Sequence, residues 1–257
     1  IGGRVIENKE FSWTSNLNMS HTSGKILTLW GNNTYYNGNG FVAPGTPGDA
    51  ARIEEGSTIG SFYIWKHAGF DDEGNFLLYN KNGEVIPAAE KTENDKQYIG
   101  NYTPALILGW TNSFTYKNFD LGINMRSWIN FDVYNTINMY YGIQGRGNTN
   151  VLKEAYGKFN HIKGEKQICD YYLEDGTFLK IDAITLGYTL NMKKYTNNLV
   201  DRIRVYATVG NVCTITGYSG MNPEVDVTGW DKGTEKFWDK AMYPLARTYT
   251  LGMQFNF

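Results

Sequence analysis

Residues 243–257 read YPLARTYTLGMQFNF. Leu245, Tyr249, Leu251, Met253, Phe255 and Phe257 occupy one set of alternate positions; Ala246, Thr248, Thr250, Gly252, Gln254 and Asn256 occupy the other. A period of two is that of a β-strand, whose successive side chains point to opposite faces. One face here is large and apolar, the other small and polar, and an aromatic closes the stretch. A strand of a transmembrane β-barrel has this form, because one face meets lipid and the other the lumen. A strand of a soluble sheet with one face in a core has it too. The rest of the chain must separate the two.

The same alternation recurs upstream. Phe11, Trp13, Leu17 and Met19 alternate with Ser12, Thr14, Asn16, Asn18 and Ser20. Leu106, Leu108, Trp110, Phe114 and Tyr116 form one face of a strand that begins at Ala105. Lys117-Asn118 follows, a two-residue turn of the kind that closes a hairpin. From Phe119 the apolar set is Phe119, Leu121, Ile123, Met125, Ile129, Phe131 and Val133, opposed by Asp120, Asn124, Arg126, Asn130 and Asp132. Read as one strand, Phe119–Val133 has about 15 residues. Soluble strands average ~5–6 residues and tilted membrane strands need ~9–11, so length favours the membrane. Further strands are expected at Phe178–Leu190 and Leu199–Gly210.

The connections are asymmetric. Glu7–Glu10, Lys117–Asn118 and Asn191–Asn198 are short, whereas Trp30–Thr58, Tyr134–Thr177 and Asn211–Met242 are long, polar and rich in Gly, Asn and Tyr. Outer-membrane barrels join strands by short periplasmic turns and long extracellular loops. On that basis Lys117–Asn118 is periplasmic and the last strand runs inward, leaving the C-terminus in the periplasm. If Ile59–Trp65 is an inward wall strand, parity requires an outward one before Ala105, for which Phe76–Asn80 is the candidate; otherwise Ile59–Trp65 is not a wall strand.

Composition agrees with a barrel and excludes other classes. Among 257 residues there are 19 Tyr, 13 Phe and 7 Trp, 29 Gly and only 6 Pro. Mean hydropathy is −0.44. Barrel strands average apolar and polar positions together, so a soluble-looking mean is expected of them. The net charge of −2 leaves no basic footprint for nucleic acid. Ile1 opens the chain without Met, basic region or apolar leader, and IGGRVI enters as if in mid-strand, so a piece of something longer is expected.

Motifs of chemistry are sparse. Gly38–Ala43 fits a dinucleotide fingerprint on paper, but no strand-to-helix context surrounds it. Asp71–Asn75 has calcium-like oxygens that do not continue at ligand spacing, so a solvated acidic turn is expected. His21, His67 and His161 share no metal spacing, and no nucleophile elbow is present. No cofactor and no enzyme activity are expected. Cys169 and Cys213 are read as isolated thiols, or as one bridge if both lie on the same side of a membrane. The charges Asp120, Arg126 and Asp132 are expected to face the lumen, contacting a plug or pairing across strands. In the long loops Tyr140, Tyr141, Tyr171, Tyr172, Tyr218, Trp230 and Trp238 stand with Asp226, Asp231 and Asp239. Aromatics among carboxylates suit glycan stacking, a peptide or a partner protein's surface. Arg247 breaks the apolar face ten residues before Phe257, ~25 Å above the end at usual rise and tilt. A lipid headgroup phosphate or a loop carboxylate is its expected partner.

Six stretches resemble the C-terminal barrel region of the SusC/RagA-like TonB-dependent outer-membrane transporters of Bacteroidetes. They are FSWTSNLNMSHTSGKIL from Phe11, EGSTIGSFYIWKHAGF from Glu55 and YIGNYTPALILGWTNSFTYKNFDLGINM from Tyr98. LEDGTFLKIDAITLGYTL from Leu173, RVYATVGNVCTITGYSGMNPEV from Arg204 and the closing YPLARTYTLGMQF complete the set, in the family's order. The resemblance implies an all-β plugged barrel of about 22 strands, of which about nine fall here. Residues 1–257 would be its C-terminal portion, with the plug domain and the N-terminal barrel half absent. It implies import of an oligosaccharide or oligopeptide, a SusD-like surface lipoprotein as lid, and TonB acting through the missing N-terminal part. The remaining part of the same barrel and outer-membrane lipid are the other implied partners. Tyr249, Leu251, Met253, Phe255 and Phe257 resemble the C-terminal signal read by the outer-membrane assembly machinery. Relatives often carry an acidic Asp/Gly-rich loop before Tyr98; residues 82–97 here read NGEVIPAAEKTENDKQ, a departure that withdraws support for a bound ion. The alternative from another class is a soluble β-sandwich carbohydrate-binding module, in which the apolar faces would meet in a core.

Overall fold

The computed structural model describes residues 1–31, 34–37, 49–144, 150–197, 199–225 and 244–257. The strands are β1 (Gly2–Glu7), β2 (Phe11–Ser20), β3 (Tyr35–Asn37), β4 (Arg52–Glu54), β5 (Ser61–Ile64), β6 (Lys66–Phe70), β7 (Phe76–Tyr79) and β8 (Val85–Pro87). They continue with β9 (Gln97–Asn101), β10 (Leu106–Tyr116), β11 (Phe119–Ile129) and β12 (Asp132–Tyr134). After the one short helix, α1 (Thr136–Tyr141), come β13 (Leu173–Asp175), β14 (Phe178–Asn191), β15 (Arg202–Thr216) and β16 (Thr248–Asn256).

Seven strands form one antiparallel sheet in the order β1-β2-β10-β11-β14-β15-β16. The register aligns the alternating faces across it. Phe11, Tyr116, Phe119, Tyr188, Val205 and Met253 lie side by side, and so do Trp13, Phe114, Leu121, Leu186, Ala207 and Leu251. The opposite face carries ranks such as Thr14, Ser113, Gly122, Thr185, Thr208 and Thr250. Among the described residues the apolar face has no covering layer: Leu186 is 51% and Leu251 84% exposed. A continuous apolar sheet face of this extent is stable only against lipid or another apolar surface. A polar interruption in it is closed from within. Ser15 and Asn112 oppose each other there; the Trp13 indole donates to Asn112 Oδ1 at 3.0 Å and the Trp110 indole to Ser15 Oγ at 2.8 Å.

Short turns gather at one end of the sheet and long connections at the other. Lys117 takes a φ of 52° in the β10–β11 turn, which a two-residue hairpin loop requires. At the far end the connection from β2 to β10 and that from β11 to β14 fold together into a cap with its own core. Phe62, Ile64 and Trp65 pack there with Phe76, Leu78, Tyr134, Met139, Ile168, Cys169 and Tyr172. A parallel bridge between Trp65 and Cys169 ties the two connections. The Tyr134 hydroxyl donates to the Cys169 carbonyl at 3.0 Å and accepts from the Cys169 amide at 3.2 Å. Burial pushes the Cys169 thiol well above its usual range. Both cysteines are free, so the bridge held open above does not form.

Three expectations change. Ile59–Trp65 and Phe76–Asn80 are not wall strands: β5 pairs with β9, and β7 is the middle of the three-stranded β6-β7-β8 meander. The wall sheet therefore has seven strands rather than about nine, and its up-down parity closes without the extra pair. Phe119–Val133 is not one strand. Asn130 adopts a φ of 56°, a left-handed conformation that Asn tolerates better than most residues. The chain turns there, and β12 pairs with β13 off the sheet. Phe131 and Val133 consequently pack with Phe178 and Tyr218 instead of facing lipid. The strand placed at Leu199–Gly210 runs on as β15 to Thr216, past a bulge at Asn211.

Candidate functional site

The polar face of the sheet carries two ionic clusters. In the first, the Arg204 guanidinium donates from Nε to Asp120 Oδ1 at 2.8 Å, and a second bond joins Nη2 to Oδ2. The pair lies across Gly187, where a Cβ would sit 2.5 Å from Asp120 Oδ1 and 2.6 Å from Arg204 Nη2. Tyr206 covers Gly252 in the same way, and the Arg204 guanidinium lies 4.9 Å from the Tyr206 ring centre. The two glycines are thus seats for larger side chains from neighbouring strands.

The second cluster sits toward the cap. Arg126 of β11 lies directly opposite Lys180 of β14. A bulge in β14 lies between Ile181 and Ala183, and it brings the extra residue, Asp182, to Arg126 Nε at 3.0 Å. Glu224, in the connection after β15, completes the cluster. Its Oε2 accepts from Arg126 Nη2 at 2.8 Å and from Lys180 Nζ at 3.3 Å, while Oε1 pairs with Arg126 Nη1. Asn222 braces the Glu224 backbone through bonds of 3.1 and 3.2 Å. The Lys180 side chain is only 4% exposed, and Glu224 is its ion-pair partner among the described residues. With Trp128, Asn211 and Asn222, the cluster lines a cavity of 640 Å³. Nearer the cap, Glu174 accepts from the Ser219 amide and hydroxyl, both at 2.8 Å, and from Asn135 Nδ2 at 2.9 Å. Glu174 and Glu224 therefore hold the start of the third long connection from two sides.

Asp120 and Arg126 stand on the polar face as the alternation predicts, but Asp132 does not. It belongs to β12, accepts from the Asn101 amide at 2.8 Å, and burial raises its pKa. The loop aromatics are also corrected. Tyr140, Tyr172 and Tyr218 are buried in the two cores, and Tyr141 and Tyr171 pack partly buried against the larger one. Burial drives the Tyr140 hydroxyl up to about 12 and raises that of Tyr172 well above its ordinary value, and both hydroxyls lack a hydrogen-bond partner among the described residues. These rings hold the cap together rather than facing solvent. Trp230, Trp238 and Asp231, with Asp226 and Asp239, lie outside the described residues, as does the Gly38–Ala43 segment. Arg247 donates from Nη2 to the Val212 carbonyl at 2.7 Å, at the β15 bulge. Asp71 is the solvated turn expected, bonded to Asn75 through the amide at 2.7 Å and the side chain at 2.9 Å. Among the described residues no group of three His, Cys, Asp or Glu is placed to hold a metal. Lys180, Asp182 and Glu224 were not foreseen. The apolar residues Ile181 and Ile184, three apart inside an alternating strand, are the sequence mark of the bulge that creates the site.

An antiparallel, bulged wall with one apolar and one ionic face, and long connections at one end, defines a portion of a membrane β-barrel. Comparison with known proteins gives the kind. The chain is 27% identical over its full length to the TonB-dependent receptor SusC of Bacteroides thetaiotaomicron, covering 26% of that protein. It is 25% identical, again over its full length, to TonB-dependent receptor P3 of Formosa agariphila, covering 28% of it. The solved RagAB peptide transporter superposes with a TM-score of 0.79 at 22% identity, over 99% of this chain and 28% of that one. The RagAB peptide importer in its open-open state gives 0.75 at 21% identity. No protein-family model matches. The chain is similar over its whole length to the TonB-dependent receptors SusC and P3, its fold is that of part of the RagAB transporter barrel, and it spans about a quarter of the length of these relatives.

Proposed function

We propose that the chain is the C-terminal portion of an outer-membrane TonB-dependent transporter that imports a nutrient, an oligosaccharide or an oligopeptide. The observation that carries this is the uncovered apolar face running across all seven wall strands, backed by a polar face with paired charges. The likeness to SusC and to RagAB supports the same reading. On it, the apolar face meets outer-membrane lipid, and the Asp120 and Arg126 clusters face the lumen. The edges of β1 and β16 pair with the remaining part of the same barrel, since open edges do not persist in lipid. The cap faces outward, toward a SusD-like surface lipoprotein and the cargo. TonB acts through the missing N-terminal part. The chain performs no bond chemistry; it supplies wall, mouth and loops. A soluble carbohydrate-binding module is disfavoured, because its strands would bury the face that is bare here.

The test uses the full-length protein in its own host. Outer-membrane fractionation with heat-modifiable migration is expected, and deletion of the gene should abolish growth on either a glycan or a peptide source. Recovery in the soluble fraction without detergent would sink the reading.

A further inference from the structure

Arg126, Lys180 and Glu224 form an arrangement that the wall does not need. Two cations from adjacent strands converge on a single carboxylate contributed by a connection. Arg126 grips both oxygens, and Lys180 adds a third contact at 3.3 Å. This is the geometry by which proteins bind a free carboxylate. The cavity alongside, 640 Å³ with Trp128 on its wall, has room for a ligand beyond the carboxylate itself. Asp182 keeps Arg126 partly neutralised at 3.0 Å if Glu224 leaves. Lys180 has no such reserve: it is buried, and its ion-pair partner among the described residues is Glu224. An unpaired buried ammonium is strongly disfavoured, so Glu224 stays in place most of the time unless another anion replaces it.

We propose that this is a carboxylate-binding site, occupied at rest by the chain's own Glu224 and opened by exchange with a carboxylate-bearing ligand. The site deepens the transport reading and rests on it. The exchange has a structural consequence. Glu224 and Glu174 together hold the start of the third long connection, so displacement of Glu224 releases one of its two anchors. Ligand arrival at the wall is thereby reported to the connection above it. The ligand's carboxylate can belong to a uronic acid or to the C-terminus of a peptide; the recognising chemistry is the same.

The full-length protein in detergent is titrated with digalacturonate and with trialanine, each beside the form in which the carboxyl group alone is made neutral, the methyl ester and the C-terminal amide. At least one carboxylate form is expected to bind, and its carboxyl-neutral form to bind at least about tenfold more weakly. Glu224→Gln removes the resident competitor. If Glu224 fills the site about nine-tenths of the time, the variant binds the carboxylate about tenfold more tightly. Lys180→Met should abolish the gain. Binding of digalacturonate alone assigns a uronic acid, and of trialanine alone a peptide terminus. Hydrogen exchange on the unmodified protein provides a reading independent of folding in the variants: saturating probe should raise exchange over residues 217–225. Carboxyl-neutral probes binding as well as carboxylate ones, or no binding of either carboxylate, would overturn the site. So would unchanged exchange on saturation. A protein that inserts in the outer membrane and supports growth yet fails the titration loses this site alone; one absent from the membrane loses the transport reading first.

Discussion

At the scale of single residues, the wall depends on positions where a missing side chain makes room for an ion pair. Gly187 is the clearest. A Cβ there would collide with both members of the Asp120–Arg204 pair, at 2.5 and 2.6 Å. Gly187→Ala should therefore destabilise the folded barrel by about 1–3 kcal/mol, the usual cost of overpacking. The check is the urea midpoint of the full-length protein in detergent, with Gly122→Ala, whose Cβ meets nothing within 4 Å, as the unaffected comparison. Asn130 matters through its backbone instead. Its φ of 56° turns the chain out of the wall, so Asn130→Val should cost about 1–2 kcal/mol and Asn130→Gly little. Equal midpoints for the two variants would show that the turn does not rest on this residue's backbone.

At the scale of elements, the cap is a small domain fastened by local polar contacts, and pH tests it. His67 packs against Phe70, Phe76 and Tyr171, and its Nε2 has no hydrogen-bond partner among the described residues. Burial lowers its pKa from the ordinary 6.5, against the opposing pull of Asp170. The unfolded cap thus binds the proton at higher pH than the folded one. His67 costs nothing well above pH ~6.5, and cap stability falls as pH drops below it. Protease nicking within residues 49–102 should accelerate between pH 7 and 5.5, and His67→Phe should flatten that dependence. The elements also differ in how legible they were. The wall strands were readable because each has one face to lipid and one to a polar space, which imposes a period of two. In the cap the sequence suggests strands only at Ile59–Trp65 and Phe76–Asn80, and in the wrong sheet, because its strands run only three to five residues, too short for a period to register. Its aromatics looked like ligand contacts for the same reason, although Tyr140 and Tyr172 are core. The ionic site was half legible. Arg126 stood out as a charge on an alternating strand, whereas Lys180 and Asp182 were hidden by the bulge that assembles them, and Glu224 came from a connection without any period.

At the scale of the whole molecule, the sheet ends on two edge strands, β1 and β16, each paired on one side only among the described residues, and bares one apolar face. Neither feature is tolerable alone: the edges are unsatisfied in lipid, and the face is unsatisfied in water. Expressed by itself, residues 1–257 should not insert as a stable unit, and its gel migration should not change on heating. The central claim is that the apolar face of this wall meets lipid. Spin labels scanned singly along residues 248–256 of the full-length protein in bilayers test it most directly. The account predicts alternation: high oxygen accessibility at 249, 251, 253 and 255, and low accessibility at 248, 250, 252 and 254. Uniformly low accessibility across all nine positions, as in a closed protein core, would contradict it.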